Sequence, residues 1–402
     1  MKYFFDQFVL DTDVRELSGP GRTVKVEPKV FDLLLHLVEN RDRVVSKDEL
    51  VTAVWDGRFI SEATLSSAVR SARKALGDNG KIQRFVRTLH GHGFRFVAPV
   101  VETSAEGPPA QGTRADELPI QDIRFCRSAD GTRIAYALAG AGAPLVKAAN
   151  WLNHLEFDWE SPVWKHFFKA LASEHRLIRY DARGNGLSAW DVSDFSLDRQ
   201  IEDLEAVVDT LGLERFPLLG LSQGCAKAIA YAARHPERVT KMVLLGGYAR
   251  GWRHRDEPDA IVVGEARCAL IRSGWGSDNR AVRQMFTTIY MPDAPPESQG
   301  WFTELQKQTT SSSNAAEILQ AHGDVDIRDI LPEIRTPTLV LHSRNDMGVP
   351  YAQGQELAAG IRDARYVTLD TTNHILPATD PAWARCMRMI HDFLDERRAS
   401  GR

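Results

Sequence analysis

The sequence lacks the long apolar runs by which membrane proteins and leader peptides are recognised. No stretch of about 18 apolar residues occurs among its 402 residues, so we expect no membrane span and no membrane partner. The apolar stretch that starts at Tyr3 is interrupted by Asp6, which is too soon for a signal peptide. We therefore expect a cytoplasmic protein.

Cysteine is scarce, and its spacing excludes the usual cysteine chemistry. The four cysteines stand far apart, without a C-x-x-C pair or a metal-ligand spacing. They are Cys126, Cys225, Cys268 and Cys386. We expect reduced thiols and no metal site. The chain also lacks internal repeats, a glycine-rich phosphate loop and a long heptad run, so we expect no cofactor.

A segment without apolar periodicity divides the chain. Residues 102–119 are rich in Pro, Gly, Ala and acidic residues, which predicts a flexible linker. The length of 402 residues also exceeds what one hydrophobic core usually serves. We expect a first domain over residues 1–100, a linker over 101–119 and a second domain over 120–398.

The second domain contains a G-x-S-x-G element, Gly220-Leu221-Ser222-Gln223-Gly224. The residues before it predict a buried strand, and Cys225 to Arg234 predict an alanine-rich helix. A serine on a sharp turn from strand to helix presents its hydroxyl as a nucleophile. Gly220 and Gly224 fit this turn because side chains there would collide with it. The element therefore predicts a nucleophilic Ser222.

A serine hydroxyl needs a base to remove its proton and a carboxylate to orient that base. Asp346 follows an apolar segment that begins at Pro337, and His374 lies in the loop after a short strand over residues 364–369. Both positions are the ends of predicted strands, where catalytic groups gather in parallel sheets. Ser222, Asp346 and His374 are therefore the candidate catalytic residues.

The turn from Tyr180 to Ser188 resembles the D-x-R-G-x-G-x-S turn of the α/β-hydrolase family. The matching residues are Asp181, Arg183, Gly184, Gly186 and Ser188. The resemblance extends over about residues 120–398. It implies an α/β-hydrolase fold, which is a doubly wound, mostly parallel sheet with a helical cap, here over about residues 249–325.

The expected cap carries six aromatic residues, and the sequence is compatible with two roles for them. They are Trp252, Trp275, Phe286, Tyr290, Trp301 and Phe302. One use is to line a pocket for an apolar or aromatic ligand, and the other is to pack the cap onto the sheet.

The resemblance also implies two backbone N–H donors for an oxyanion. The first belongs to Gln223, immediately after the serine, and the second lies near Trp151. The family often has His-Gly at the second position, whereas this chain has Ala149-Asn150-Trp151. Loss of one such donor costs about a hundredfold to a thousandfold in rate, so this departure bears on turnover.

The first hundred residues have a different pattern. Apolar residues share one face of a helix that begins near Pro28. Ser46 and Glu49 have the S-x-x-E form of a capping box before a second helix. A third helix is predicted over residues 62–76, and residues 85–97 alternate as a hairpin. Three helices and a hairpin result.

With a stranded segment from Tyr3 to Leu17 in front, this order resembles the OmpR/PhoB-type winged-helix domain. The match covers about residues 1–98. The matching residues are Ser46, Glu49, Leu50, Val54, Trp55, Arg73, Lys74, Leu76 and Gly91-x-Gly93-Phe94-Arg95-Phe96. The resemblance implies an α+β winged helix-turn-helix whose third helix enters the major groove of double-stranded DNA, with the hairpin as the wing.

Local charge agrees with a nucleic-acid partner. Residues 62–97 hold seven Lys/Arg against two acidic residues, whereas the whole chain has a formal net charge of −4. Such an excess favours phosphate contacts with release of counterions. The candidate DNA-binding residues are Ser67, Arg70, Ser71, Arg73, Lys74, Thr88 and His90.

Two function classes follow from this combination. In the first, the chain is a one-component transcriptional regulator whose hydrolase-like domain senses a small acyl-type effector. One version of this hypothesis is that the domain also hydrolyses the effector. In the second, it is a serine hydrolase of the esterase or lactonase class with an accessory DNA-binding domain. We favour the first, because a housekeeping esterase has little use for a DNA-binding domain. Winged-helix regulators of this type commonly form dimers, which makes a homodimer an expectation here.

Overall fold

The computed structural model describes the whole chain except residues 1, 6–7, 13, 20–21, 56, 58–59, 79–82, 90–92, 99, 104–118, 276–279 and 397–402. For residues 4, 22–23, 62–63, 101–103 and 280 it describes the backbone only. The chain divides into two compact units, Met1–Ala115 and Asp116–Arg402. The expected linker lies largely outside the described residues.

The first unit begins with an antiparallel sheet. Its strands are β1 (Lys2–Phe5), β2 (Phe8–Asp11), β3 (Glu16–Gly19) and β4 (Arg22–Val24), and later in the chain β5 (Val86–Leu89), β6 (Gly93–Phe96) and β7 (Val101–Thr103) occur. The sheet has the order β4-β3-β2-β1-β7, while β5 and β6 form a separate hairpin. The segment Val101–Thr103, predicted as linker, is therefore a strand that pairs with β1.

Three helices follow this sheet, as the sequence predicts. They are α1 (Pro28–Glu39), α2 (Lys47–Trp55) and α3 (Glu62–Ala75). Pro28 occupies the first helical turn of α1. The hydroxyl of Ser46 accepts from the backbone N–H of Glu49 at 3.2 Å, so one half of the predicted capping box is present. Apolar residues of all three helices join the strands in a single core.

The hairpin of β5 and β6 is held against the segment before α2. Val45 and Phe94 exchange two backbone hydrogen bonds of 2.8 and 2.9 Å. Gly93 permits this approach, since it has a φ of +133° and a Cβ on it would lie 2.0 Å from the carbonyl oxygen of Val45. No residue other than glycine fits this position.

Arg73 fastens α3 to the hairpin, which corrects a prediction. The sequence places Arg73 on the exposed face of the helix, but the side chain is only 9 % exposed. Its guanidinium donates to the carbonyl oxygen of Val86 at 2.7 and 3.0 Å and to Thr88 Oγ1 at 2.8 Å. Arg73 and Thr88 are therefore committed to each other inside the domain.

The second unit contains eight strands and ten helices among the residues that the structure describes. The strands are β8 (Asp122–Arg127), β9 (Arg133–Ala139), β10 (Pro144–Lys147), β11 (Arg176–Tyr180), β12 (Phe216–Leu221), β13 (Val239–Leu245), β14 (Thr338–Ser343) and β15 (Arg365–Leu369). The helices are α4 (Leu155–Glu160), α5 (Lys165–Ala172), α6 (Leu197–Thr210), α7 (Gly224–Arg234), α8 (Ala260–Gly274), α9 (Arg280–Tyr290), α10 (Pro296–Thr309), α11 (Ser312–Gly323), α12 (Tyr351–Gly360) and α13 (Trp383–Asp395). Two short 3-10 turns cover Trp252–His254 and Arg328–Glu333.

The eight strands form one sheet in the order β15-β14-β13-β12-β10-β11-β9-β8. β9 runs antiparallel to both of its neighbours, β11 and β8, and the other five adjacent pairs are parallel. Alternate residues of the parallel strands face opposite sides. Leu219 and Val243 join a core that includes α5 and α13, whereas Leu218 and Leu244 join a core that includes α6, α7 and α12. The sheet is thus covered on both faces, as the predicted doubly wound fold requires.

Helices α8 to α11 lie between β13 and β14 in the sequence and form the cap. They fall within the predicted range of residues 249–325. None of the helices that the structure describes is long and apolar enough to cross a bilayer.

We expect Arg73→Ala to lower the free energy of unfolding of the first unit by about 2 to 4 kcal/mol, because it leaves the buried Val86 carbonyl without its charged donor. Lys74→Ala is the matched control, since Lys74 is exposed on the same turn and should change stability by no more than about 0.5 kcal/mol. Urea unfolding of the full chain measures both. Equal losses in the two variants would contradict this role of Arg73.

Candidate functional sites

Ser222 lies in a strained turn between β12 and α7. Its φ is +50°, a left-handed conformation that costs energy in any residue except glycine. The turn is held by hydrogen bonds from the Ser222 N–H to the Leu245 carbonyl at 2.8 Å and from the Cys225 N–H to the Ser222 carbonyl at 3.0 Å. The predicted sharp turn from strand to helix is therefore present, with Ser222 at its apex.

Two glycines make this turn sterically allowed. A Cβ on Gly220 would lie 2.7 Å from the Cα of Cys225, and one on Gly224 would lie 3.0 Å from the carbonyl oxygen of Ala148. Real Cβ atoms do not approach backbone as closely as 2.7 Å, so position 220 requires glycine, whereas a Cβ at position 224 would fit only if the Ala148 carbonyl moved by a few tenths of an ångström. The G-x-S-x-G spacing follows from this contact between β10, β12 and α7.

Asp346 and His374 meet in the structure. Asp346 Oδ2 lies 2.6 Å from His374 Nδ1, and Asp346 Oδ1 accepts from the N–H groups of Gly348 and Val349 at 2.8 and 2.9 Å. Because a carboxylate only accepts, Nδ1 of His374 carries a proton and Nε2 has the free lone pair. His374 and Ser222 line the same cavity. The arrangement leaves His374 Nε2 to act as the base.

The charge on Asp346 is retained despite deep burial. Burial alone would raise its pKa, but the electrostatic interaction with His374 and the hydrogen bond from its Nδ1–H hold the pKa of Asp346 below its ordinary value. A second histidine, His342, lies on the other side, with Nε2 at 3.6 Å from Asp346 Oδ2. Burial lowers the pKa of His342, and its Nε2–H donates to the Val349 carbonyl at 3.0 Å. His342 is thus neutral. The sequence gives no indication of its contact with Asp346, because His342 stands within an apolar strand.

The two predicted oxyanion donors lie side by side, but one of them is occupied. The N–H of Trp151 donates to the side-chain oxygen of Gln223 at 3.2 Å. Gln223 is the first residue after the nucleophile, and its own N–H stands at the start of α7. The Gln223 side chain thus occupies one of the two N–H groups that the sequence predicts as oxyanion donors. The sequence predicted the positions and did not reveal this contact.

The loop that carries Trp151 is anchored to the D-x-R-G-x-G-x-S turn. Asn153 Nδ2 donates to Asp181 Oδ1 at 2.7 Å, and the Leu187 N–H donates to Asp181 Oδ2 at 2.8 Å. A Cβ on Gly186 would lie 2.1 Å from the same carboxyl group. Burial raises the pKa of Asp181 to about 8. Asp181 therefore joins two loops and takes no place in the cavity.

An aromatic cavity opens above Ser222 and His374. Its larger lining residues are Trp151, Trp164, Phe167, Tyr290, Phe302 and Trp383. Among the residues that the structure describes, no Asp, Glu, Lys or Arg lines it. Such a wall accommodates apolar, uncharged groups, because an ionised ligand would lose its hydration without gaining a counterion.

Both alternatives for the cap aromatics occur. Tyr290 and Phe302 line the cavity, whereas Trp252, Trp275 and Phe286 pack in the core. The sequence did not indicate the contribution of Phe167 on α5, of Trp164 at the N-cap of that helix, and of Trp383 on α13. These residues lie on apolar helix faces, where a lining residue and a core residue give the same pattern.

Tyr290 connects the cap to the histidine loop. Its carbonyl oxygen accepts from the N–H groups of His374 and Ile375 at 3.0 and 3.1 Å. The rings of Tyr290 and His374 lie 5.4 Å apart. A shift of α9 would therefore move the base itself.

The third helix of the first unit presents a polar face. Ser67, Arg70, Ser71 and Lys74 are exposed on α3, opposite the buried Leu65, Val69 and Ala72. Thr88 is partly buried, and its Oγ1 is engaged by Arg73. His90 lies outside the described residues. The exposed members of the predicted DNA-binding set thus share one side of α3.

Comparison with known proteins agrees with both units. The family model described as alpha/beta hydrolase fold matches residues 153–381, and the one described as transcriptional regulatory protein, C terminal, matches residues 21–96. The protein thus joins a DNA-binding domain of transcriptional regulators to an α/β-hydrolase domain. Since the first match covers more than half of the sequence, the chain belongs to the α/β-hydrolase fold family.

Individual relatives match one unit each. The AB hydrolase superfamily protein YisY of Bacillus subtilis is 30% identical over 248 residues, which are 58% of this chain and 86% of that protein. The transcriptional regulator HilA of Salmonella typhi is 32% identical over 120 residues, which are 30% of this chain and 21% of that protein. A crystal structure of the enol-lactonase from Burkholderia xenovorans LB400 has a TM-score of 0.56 at 25% identity and covers 68% of this chain and 100% of its own.

Proposed function

We propose that the protein is a one-component transcriptional regulator whose α/β-hydrolase domain binds, and slowly hydrolyses, a small neutral acyl compound. The observation that carries this proposal is the aromatic cavity over Ser222 and His374 in a chain that also has a DNA-binding domain. The cavity is the evident place for a signal to enter. Because its target is DNA, we place the protein in the cytoplasm.

DNA recognition is assigned to the exposed face of α3. Arg70 and Lys74 are one helical turn apart and exposed, so both reach phosphates on the same side of a duplex. Ser67 and Ser71 lie beside them on the same face of α3 and suit hydrogen bonds to phosphate or base edges. Arg73 and Thr88 support this surface from behind, since they hold α3 to the hairpin.

Acyl transfer is assigned to Ser222, His374 and Asp346. The Ser222 hydroxyl passes its proton to His374 Nε2 as its oxygen attacks the carbonyl carbon of the ligand. The Gln223 N–H and, once released, the Trp151 N–H then stabilise the oxyanion. His374 returns the proton to the leaving oxygen, and a water molecule activated by His374 hydrolyses the acyl-serine.

The ligand class follows from the cavity wall. A wall of aromatic and aliphatic side chains without acidic or basic groups favours an uncharged ester or lactone. The indole N–H groups of Trp151 and Trp164 are buried without a hydrogen-bond partner among the described residues. Since buried donors favour a partner, they suit a ligand with acceptor oxygens beyond the reactive carbonyl. The enol-lactonase similarity agrees with this class.

The alternative function is a serine hydrolase with an accessory DNA-binding domain. The complete set of nucleophile, base and acid favours it, because a pure receptor needs none of them. The two functions differ in whether the ligand changes transcription, which a reporter measures directly.

For DNA binding, we expect Arg70→Ala and Lys74→Ala each to reduce the log-log salt slope of duplex binding by about 0.9. The matched control is Arg124→Ala, since Arg124 is an exposed arginine of the second unit and should leave the slope unchanged. Fluorescence anisotropy across salt concentrations, on a site recovered by mapping bound DNA, measures all three. Unchanged binding of the double variant would show that α3 is not the recognition helix.

For acyl chemistry, we expect a fluorophosphonate probe to label Ser222, and Ser222→Ala to remain unlabelled. Gln223→Ala should be labelled about 2 to 10 times faster than the wild type, because one hydrogen bond of about 0.5 to 1.5 kcal/mol no longer closes the oxyanion site. Time-resolved mass spectrometry gives both rates. Slower labelling of Gln223→Ala would mean that the side chain supports the turn and does not obstruct it.

For signalling, we expect Ser222→Ala to retain and prolong the response of a transcriptional reporter to the effector, because the ligand binds but is not consumed. Loss of the response in this variant would instead make an acyl-enzyme or a product the signal. Full response after removal of residues 120–402 would reject the sensor function and leave the hydrolase alternative.

A further inference from the structure

Helix α8 of the cap has an uncharged outer face. Its inner side is buried and includes Gly264, Cys268 and Ile271. The residues opposite these are Val262, Val263, Ala266, Ala269, Leu270 and Ser273, and all six are exposed. Surface helices ordinarily turn their charged residues toward water. Here Glu265, Arg267 and Arg272 lie at the two edges of the face instead.

The exposed apolar area is concentrated on this helix. Nine large apolar side chains are exposed in the described part of the chain, and four of them lie on α8. Val262 is 67% exposed, Val263 43% and Leu270 37%, and Ile261 adds to the N-terminal end. Single exposed apolar residues need no explanation, but a contiguous group marks a contact surface. We call Val262, Val263, Ala266, Ala269, Leu270 and Ser273 the α8 face.

The α8 face has a centre. Ala266 lies in the middle, with Val262 one turn before it and Leu270 one turn after it. The small side chains of Ala266 and Ala269 leave room for another helix to approach closely. A two-fold axis through Ala266 relates two antiparallel copies of the face. It pairs Val262 with Leu270 and Val263 with Ala269, and Ala266 with Ala266 of the other copy. The face is therefore complementary to its own copy.

We propose that the α8 face binds the α8 face of a second copy of this chain, antiparallel and about a two-fold axis at Ala266. Such an isologous contact uses one patch twice and closes at two subunits. This inference depends on the cap alone and holds whether or not the catalytic proposal does.

Charge favours an antiparallel partner over a parallel one. Asp259 stands at the N-cap position of α8, is exposed and makes no capping hydrogen bond, and Arg272 lies in the last turn, 3.8 Å from Glu317. An antiparallel pair brings Arg272 to the end where the partner helix has its acidic residue, and it also opposes the two helix dipoles favourably. A parallel pair would place like charges together. Because acidic and basic residues flank the face equally, it is also poorly suited to an anionic lipid surface.

The size of the contact predicts a weak dimer. Fifteen residues of α8 form a helix about 22 Å long, and one helix pair buries less than the roughly 1,200 Å² of a stable interface. We therefore expect a monomer–dimer equilibrium that depends on concentration. Two subunits on neighbouring DNA half-sites would be held close enough to strengthen it.

Sedimentation velocity of the full chain at rising concentration tests the proposal. We expect the wild type to dimerise and Ala266→Arg to weaken the dimer at least tenfold, because the two-fold axis places two arginines together. Ile120→Arg is the control, since Ile120 is apolar and 93% exposed elsewhere; it should dimerise like the wild type. Ala266→Glu should be monomeric too.

A mixture of Ala266→Arg and Ala266→Glu is the decisive arm. It should recover a mixed dimer, since opposite charges then meet across the axis, and such recovery excludes misfolding as the reason for the single losses. A wild type that stays monomeric, an Ala266→Arg variant that dimerises normally, or a mixture that fails to recover would each overturn the proposal. Binding of the wild type to anionic vesicles, lost in Ala266→Glu and kept in Ala266→Arg, would assign the face to lipid instead.

Discussion

The close approach of three backbone segments around Ser222 is the constraint on which the hydrolase unit depends. β12 turns into α7 so sharply that Gly220 has no room for a side chain and Gly224 has very little. The same contact brings the end of β10, and with it Trp151, beside Gln223. Gly246 extends the constraint, because a Cβ there would meet the His374 ring at 3.0 Å. Ser222, His374 and the backbone N–H groups of Gln223 and Trp151 are thus positioned by one crowded region of backbone.

The sequence predicts elements whose cause is local. Proline at the start of α1, the Ser46 cap and the glycine spacing around Ser222 act within a few residues, and each is present. Partners distant in sequence escape such patterns. The bonds from Arg73 to Val86 join residues whose proximity depends on the packed hairpin. A basic residue on a predicted recognition helix has the same pattern whether it faces DNA or the domain interior.

The cavity shows the same limit in apolar residues. Trp164 at the N-cap of α5 and Trp383 at the start of α13 line it, but buried tryptophans at the ends of core helices give the same sequence pattern. Cavity-lining residues can be distinguished from core residues only once the three-dimensional packing of both helices near α9 is known. Through the Tyr290 carbonyl, which accepts from the His374 N–H, the cap and the base are mechanically continuous. A movement of the cap would thus reach His374 without crossing the sheet.

The hydrogen bond between the Trp151 N–H and the Gln223 side chain bears on how long a bound ligand survives in the proposed regulator. In the proposed regulator, this contact slows destruction of the ligand without hindering its occupancy of the cavity. The same pocket then binds the ligand and hydrolyses it, so that the rate of hydrolysis limits the lifetime of each signal. The cell needs no separate enzyme to end the response. How long a stimulus is remembered becomes a property of one glutamine side chain.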